Sequence, residues 1–202
     1  ITMIIDNLNV IKKYIVPNPD YYWFLQIIAR RKDNSDLPRC EKYIKDYYIQ
    51  TPEQLDQLKN EIVELSKFFN ARVYFHPTAR SFRKMAIASM HEISKRLLSD
   101  EYKVHRLSRT ISGGKEALVP GTKYWMIDID TSNYDEVATT IKIVEDCPPN
   151  IGVCDIIPTI NGYHLITKPF DCLKYSQSFK DMQPPEIHKN SPVLAYYNGI
   201  RK

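Results

Sequence analysis

The spacing of apolar residues changes several times along the chain, and each change marks an element. Residues 21–32, "YYWFLQIIARRK", and 41–50, "EKYIKDYYIQ", are rich in aromatic and β-branched side chains, and "DNSDLPR" separates them. That pattern predicts a β-hairpin. From Thr51 the period lengthens: Leu55, Leu58, Ile62, Leu65 and Phe69 recur at helical spacing behind a Thr51 N-cap, with Pro52 at the first helical position and Gln54 three residues after the cap. "ARVYFHPTA" predicts a strand and "SFRKMAIASMHEISKRLLSD" a second amphipathic helix. Residues 101–122 carry Gly113-Gly114 and Pro120-Gly121 and are expected to be a loop. Beyond it, "KYWMIDIDT" predicts a strand and "SNYDEVATTIKIVEDCP" a helix from about Ser132 to before Pro148, while "VCDIIPTINGYHLITKPF" predicts two strands joined at "TING". The order is β-β-α-β-α over 21–98 and β-α-β-β over 123–170, an α+β chain without tandem repeats.

The strand at 123–131 raises a chemical question, because it is apolar yet carries two aspartates two positions apart. Strand side chains alternate, so Asp128 and Asp130 share a face while Ile127 and Ile129 take the other. Paired carboxylates repel unless a cation or solvent offsets them, and Mg²⁺ or Mn²⁺ takes such hard oxygen ligands. Solvated carboxylates at a strand end are the alternative. In the hairpin "PTINGYHLIT", Gly162 permits a tight turn, and His164, Ile166 and Lys168 then share one face. A sheet with both features could hold a metal and a phosphate chain together.

These two motifs resemble those of the archaeo-eukaryotic primase superfamily, whose catalytic module has an hhhDhD/E strand, one helix, a hairpin with small-x-His, and later a third acid. "WMIDID" matches the first motif at Asp128 and Asp130, and "PTINGYH" the second, with Gly162 in the small position and His164 as the histidine. The resemblance covers residues 123–170. It departs from the family's S-G-x-x-G-x-H turn at Pro158-Thr159, and no zinc-binding stem is apparent. For the third acid Asp171, Asp181 and Glu186 are open, with Glu186 favoured because "EIHKNSPVLAYY" looks like a further ordered element.

The resemblance implies an RRM-like palm over 111–202, packed as one unit with an N-terminal α/β subdomain over 1–110. It implies a minimal primase or primer-extending polymerase in which Asp128, Asp130 and Glu186 hold Mg²⁺ or Mn²⁺. His164, Lys168 and the Gly162 turn would meet the nucleoside triphosphate. The template, single-stranded DNA or a primer-template, would lie along Arg30, Arg31 and Lys32 and along Arg80, Arg83 and Lys84, where cations and aromatics mix. Replication proteins are the expected partners, and a phage or mobile element would suit so small a replication protein. The alternative is a primase-like binding or assembly module that has lost its third acid.

Composition narrows these options only slightly. The 202 residues suffice for a real core, with 43% hydrophobic and 26% charged, and no apolar run is long enough to cross a membrane. No secretory leader is visible, and a cytosolic location is the default expectation. A net charge of +4 permits a polyanionic partner without arguing for one. Cys40, Cys147, Cys154 and Cys172 lack a C-x-x-C and are read as reduced packing residues, a zinc site on Cys147, Cys154 and a histidine being the minor alternative. A dehalogenase-type phosphatase would need more chain after its D-x-D. A rolling-circle nuclease would need a His-hydrophobic-His triplet that this sequence does not contain.

Overall fold

Two antiparallel sheets face each other across a cleft, and each is backed by helices on its far side. The computed structural model describes residues 2–38, 40–102, 107–179 and 183–200. The first sheet is built on the expected hairpin, β2 (Tyr21–Arg30) and β3 (Glu41–Ile49), and continues through β4 (Arg72–Phe75). Its strand order is β1-β10-β4-β2-β3, where β1 is Thr2–Asp6 and β10 is Val193–Ile200, and the short β5 (Arg80–Ser81) pairs with the start of β2.

Helix α2 (Pro52–Phe68) forms where the sequence predicts it. The Thr51 hydroxyl accepts from Gln54 N at 3.2 Å, and the Gln54 side chain accepts from Gln50 N at 2.7 Å. A cap of this kind contributes about 1 kcal/mol. The helix lays Leu55 and Ile62 on the odd-numbered face of β2 and β4, where Leu25, Ile27, Val73 and Phe75 are fully enclosed. Each such side chain contributes roughly 1.5–3 kcal/mol on burial. Polar residues therefore fall on the opposite face, toward the cleft: Gln26 and Arg30 on β2, Arg72, Tyr74 and His76 on or just beyond β4.

The second sheet has the order β7-β8-β6-β9, from β6 (Trp125–Ile129), β7 (Val153–Pro158), β8 (Tyr163–Thr167) and β9 (Glu186–His188). Helix α5 (Tyr134–Glu145) links β6 to β7, and α6 (Cys172–Ser178) links β8 to β9. The chain thus runs β-α-β-β-α-β with β6 and β8 central, a split β-α-β arrangement. Ile127, Ile129 and Leu165 pack with Val137 and Val144 of α5 and Tyr175 of α6, which leaves Met126, Asp128 and His164 facing the cleft.

The sheets share core and hydrogen bonds. Met126, Ile157 and Ile166 of the second sheet belong to the same apolar cluster as Trp23 and Val73 of the first. Asn7, which precedes α1 (Leu8–Lys12), is buried and donates through Nδ2 to Leu194 O at 2.8 Å and Pro158 O at 3.0 Å, one oxygen from each sheet.

Two expectations need correction. A boundary at residue 110 does not separate the sheets, because β10 returns from the second half to lie between β1 and β4. Pairing of strands that far apart leaves no local sequence signal. Residues 101–122 are not simply a loop: α4 (Leu107–Gly113) buries Leu107 and Ile111, and a 3₁₀ turn follows at Lys115–Ala117. The strand and helix of residues 2–12 have no counterpart among the predicted elements. Helix α3 (Phe82–Leu98) forms behind a Ser81 cap as expected, but none of its residues is buried, and Ile87, Met90 and Leu97 stand exposed. Among the described residues no helix is long and apolar enough to cross a membrane.

Candidate active site

The cleft between the sheets encloses about 1100 Å³, at the upper end of the range for ligand pockets. On its four-stranded wall, Asp128 of β6 stands in register with His164 of β8 on one side and with Glu186 of β9 on the other. Side chains directly opposed in an antiparallel pair have Cβ atoms about 5 Å apart. Asp130 lies one residue past β6, is exposed, and lines the cleft beside Asp128. Of the three candidates for a third acid, Glu186 is therefore the one next to Asp128. Asp171 caps α6, accepting from Leu173 N and Lys174 N, and Asp181 lies outside the described residues.

Asp128 is half-buried, and its carboxyl is pushed above the usual range, chiefly by burial and then by the charge of Asp130, with Glu186 adding to it. His188 and Lys32 pull the other way. Glu186 is largely exposed, and His188 Nε2 lies 3.5 Å from its Oε2.

His164 is nearly enclosed, and its two nitrogens differ. Nδ1 accepts a hydrogen bond from Leu194 N at 3.2 Å, while Nε2 lies 3.6 Å from Asp128 Oδ1. Burial, with the neighbouring His188 and Arg72, lowers its pKa to about 4. The ring is therefore neutral near pH 7, and with Nδ1 accepting, its hydrogen sits on Nε2, directed at the cleft. At 3.6 Å the contact with Asp128 is longer than a hydrogen bond, so this N–H is available to a ligand.

Gly162 positions the second motif by its lack of a side chain. The turn from Thr159 to Gly162 is closed by Thr159 N to Gly162 O at 2.8 Å and Gly162 N to Thr159 Oγ1 at 3.1 Å. A Cβ on Gly162 would fall 1.9 Å from Ile129 O and 2.8 Å from Thr131 N. Only glycine lets this turn lie against the backbone that carries Asp130.

The six-stranded wall is basic and aromatic. Arg30, Lys32, Lys42, Arg72 and Arg109 line it. Arg72 makes a bidentate pair with Asp33 at 2.7 Å and 2.7 Å. Arg30 reaches Tyr74 Oη at 3.2 Å and Glu41 at 3.6 Å. Arg109 binds Asp46 at 2.6 Å and lies 4.5 Å over the Tyr43 ring. Of these, only Arg30 and Lys32 are predicted from sequence. Arg72 and Tyr74 were legible in the alternation of "RVYFH", where every second residue is polar; Arg109 was hidden in the stretch read as a loop, and His188 had no motif around it.

The remaining predicted residues lie elsewhere. Arg80 is fully buried, donating to Thr78 O, Gly113 O and Asn190 Oδ1 and meeting His76 Nδ1 at 2.8 Å, so it presents no surface to a template. Burial alone is enough to lower its pKa to about 10. Arg83 and Lys84 are exposed on the first turn of α3 and do not line the cleft, and Arg31 is exposed beside it. Lys168 lies past the far end of β8, its ammonium 3.5 Å from the centre of the Tyr124 ring, and so is not brought to His164. The four cysteines are free: Cys147 is enclosed behind α5 and Cys154 is exposed on edge strand β7, an arrangement that builds no zinc site.

Among the described residues no three His, Cys, Asp or Glu side chains are gathered closely enough to hold a metal ion by themselves. The donor set instead suits a cation shared with a ligand. Magnesium commonly takes one or two carboxylates and completes its shell with substrate phosphates and water, and the mutual repulsion that raises Asp128 is what a cation would relieve. Comparison with models of known protein families, with curated proteins and with solved structures found no match.

Proposed function

We propose that the protein is a metal-dependent nucleotidyltransferase of the primase-polymerase kind, making or extending primers on a single-stranded template. The observation that carries this reading is the placement of Asp128 between His164 and Glu186 on adjacent strands, facing a basic wall across the cleft. Asp128 and His164 of the two motifs, and Glu186, the favoured third acid, stand in register on three adjacent strands. The β-α-β-β-α-β order of the four-stranded sheet is also that of an RRM-like palm, although the primase assignment rests on the motifs.

Asp128 and Asp130, with Glu186 beside Asp128, would hold Mg²⁺ or Mn²⁺ in a shell completed by the ligand's phosphates and water. Such a cation, when bound, supplies charge stabilisation and makes a hydroxyl more acidic. In the reaction a primer 3′-hydroxyl gives up its proton to solvent and attacks the α-phosphorus, a new P–O bond forms, and the α–β phosphoanhydride breaks to release pyrophosphate. His164 donates its Nε2–H to a phosphate oxygen without adding charge. The turn at Gly162 fixes the backbone from which Asp130 projects. Arg109 and Tyr43 offer a cation and a ring to a template strand, the combination on which single strands stack. Arg30 and Tyr74 extend that surface.

The deciding experiment is incorporation of labelled ribo- and deoxynucleotides on single-stranded and primed templates with Mg²⁺ or Mn²⁺, comparing wild type with Asp128→Asn/Asp130→Asn. Metal-dependent product that the double variant cannot make is the expected result. Strand binding without turnover by folded wild type would overturn the enzymatic reading in favour of a binding or assembly module.

A further inference from the structure

Of the five cations that line the six-stranded wall, four are already engaged. Arg30 has Glu41 and Tyr74, Arg72 has Asp33, and Arg109 has Asp46 and Tyr43. The Lys42 ammonium lies 5.5 Å over Phe69. Lys32 alone has no hydrogen bond, ion pair or ring contact among the described residues, although it is exposed, lines the cleft with Asp128 and Asp130, and is near enough for its charge to act on Asp128.

The turn that carries Lys32 is firmly held. Asp33, the next residue, receives both arms of the Arg72 guanidinium, and its backbone oxygen accepts from Asn70 Nδ2 at 2.8 Å. Asn34 returns the contact, donating to Asn70 O at 3.0 Å and to Arg30 O at 3.2 Å. Both Asp33 and Arg72 are only 11% exposed in their side chains. Water therefore competes little for the pair, and a planar bidentate fork fixes direction as well as distance. The lysine's backbone is pinned while its side chain stays uncommitted.

We propose that Lys32 is a nucleotide-phosphate contact rather than part of the template track, and that the Arg72–Asp33 clasp is its positioning device. The inference rests on the nucleotidyl-transfer reading of the same cleft, but it assigns the anionic end of the ligand to the opposite wall. A triphosphate whose metal end is held at Asp128 and Asp130 extends toward the six-stranded sheet, where Lys32 supplies charge that no protein carboxylate has claimed. The engaged Arg30 and Arg109 are left to the template track.

The test uses the whole chain and measures three dissociation constants: for Mg²⁺-dGTP, for Mg²⁺-tripolyphosphate and for a single-stranded oligonucleotide over a range of salt concentrations. Lys32→Gln is expected to weaken both phosphate ligands about tenfold or more, with the oligonucleotide affinity and its salt slope unchanged. Lys32→Arg, which keeps the charge, should restore most of that loss, and Lys67→Gln on the back of α2 serves as a charge control. Asp33→Asn should weaken the same two ligands, and combined with Lys32→Gln should add little further loss, a non-additivity that a merely structural clasp would not give. If Lys32→Gln leaves the phosphate ligands unchanged, or weakens the oligonucleotide instead, the assignment is wrong. Tripolyphosphate binding that depends on Lys32 in a protein that incorporates no nucleotide would sink the transfer reading and leave the assignment standing. A wild type that binds neither phosphate ligand would overturn both.

Discussion

On the four-stranded wall of the cleft stand Asp128 and Asp130, with Glu186 in register beside Asp128, and among the described residues none of the three has a lysine or arginine ion pair, whereas on the six-stranded wall each arginine has its own acid. Arg30 has Glu41, Arg72 has Asp33 and Arg109 has Asp46. Like charges gathered on one surface raise the energy of the unliganded protein and are relieved by whatever cation arrives. Opposite charges paired on the other surface hold side chains in place and leave little free field. The first wall therefore gains by taking up a cation, while the second fixes its arginines in place and leaves Lys32 uncommitted, and polarity alone does not distinguish the two.

The contrast is broken most directly on the acidic wall. Asp128→Asn/Asp130→Asn should abolish incorporation, by on the order of 10³-fold if several kcal/mol of transition-state stabilisation are lost. Because the repulsion is removed as well, thermal unfolding should show the double variant as stable as wild type or more so. A loss of stability together with activity would mean that the carboxylates are structural.

Next in size is Gly162→Ala. A methyl 1.9 Å from Ile129 O cannot be accommodated unless the turn moves, and overpacking of this kind costs about 1–3 kcal/mol. The expected outcome is a lower unfolding midpoint together with weakened metal-dependent activity, since Asp130 projects from the same backbone. Unchanged activity would separate the turn from the acids.

Protonation sharpens the comparison at His164. Its pKa is lowered in the folded protein to about 4 from an ordinary value near 6.5. Between those values the unfolded chain binds the extra proton, so this group's contribution to stability is present above about pH 6.5 and is lost as pH falls toward 4. Asp128, whose carboxyl is raised, opposes that trend at the acid end. His164→Gln should therefore flatten the dependence of unfolding free energy on pH between 4 and 6.5, as read by denaturant titration.

Arg109→Ala should weaken single-strand binding several-fold and reduce the salt slope by about one, with triphosphate affinity unchanged. Lys168→Ala, at the far end of β8, should change neither by as much as twofold.

How far the chain could be read in advance follows from the range of each signal. The β2–β3 hairpin, α2 and both motifs were legible because their information is local: a period, a cap, a glycine before a histidine. Arg80 was misplaced because "ARSFRK" reads as a solvated basic run, and nothing within it reveals that Gly113 and Asn190 close over the guanidinium. Helix α3 has the apolar spacing that buries α2, yet beyond Phe82, whose ring meets Tyr22 and Tyr48, it packs against α4 and buries none of its residues. Periodicity specifies a face, and tertiary structure decides whether that face is covered. Glu186 was within reach only as one acid among three, because register across β6 and β9 is a tertiary fact.

The backbone amide that sets the tautomer of His164 belongs to Leu194, on the strand that also stands between β1 and β4. A chain synthesised as far as residue 190 carries every acid and histidine of the proposed site, with β1 still lacking its β10 neighbour and the His164 ring still free to carry its proton on either nitrogen. Docking of β10 thus also brings the amide that orients His164. A chain cut before residue 193 would keep each of the motifs and lose the contact that orients His164.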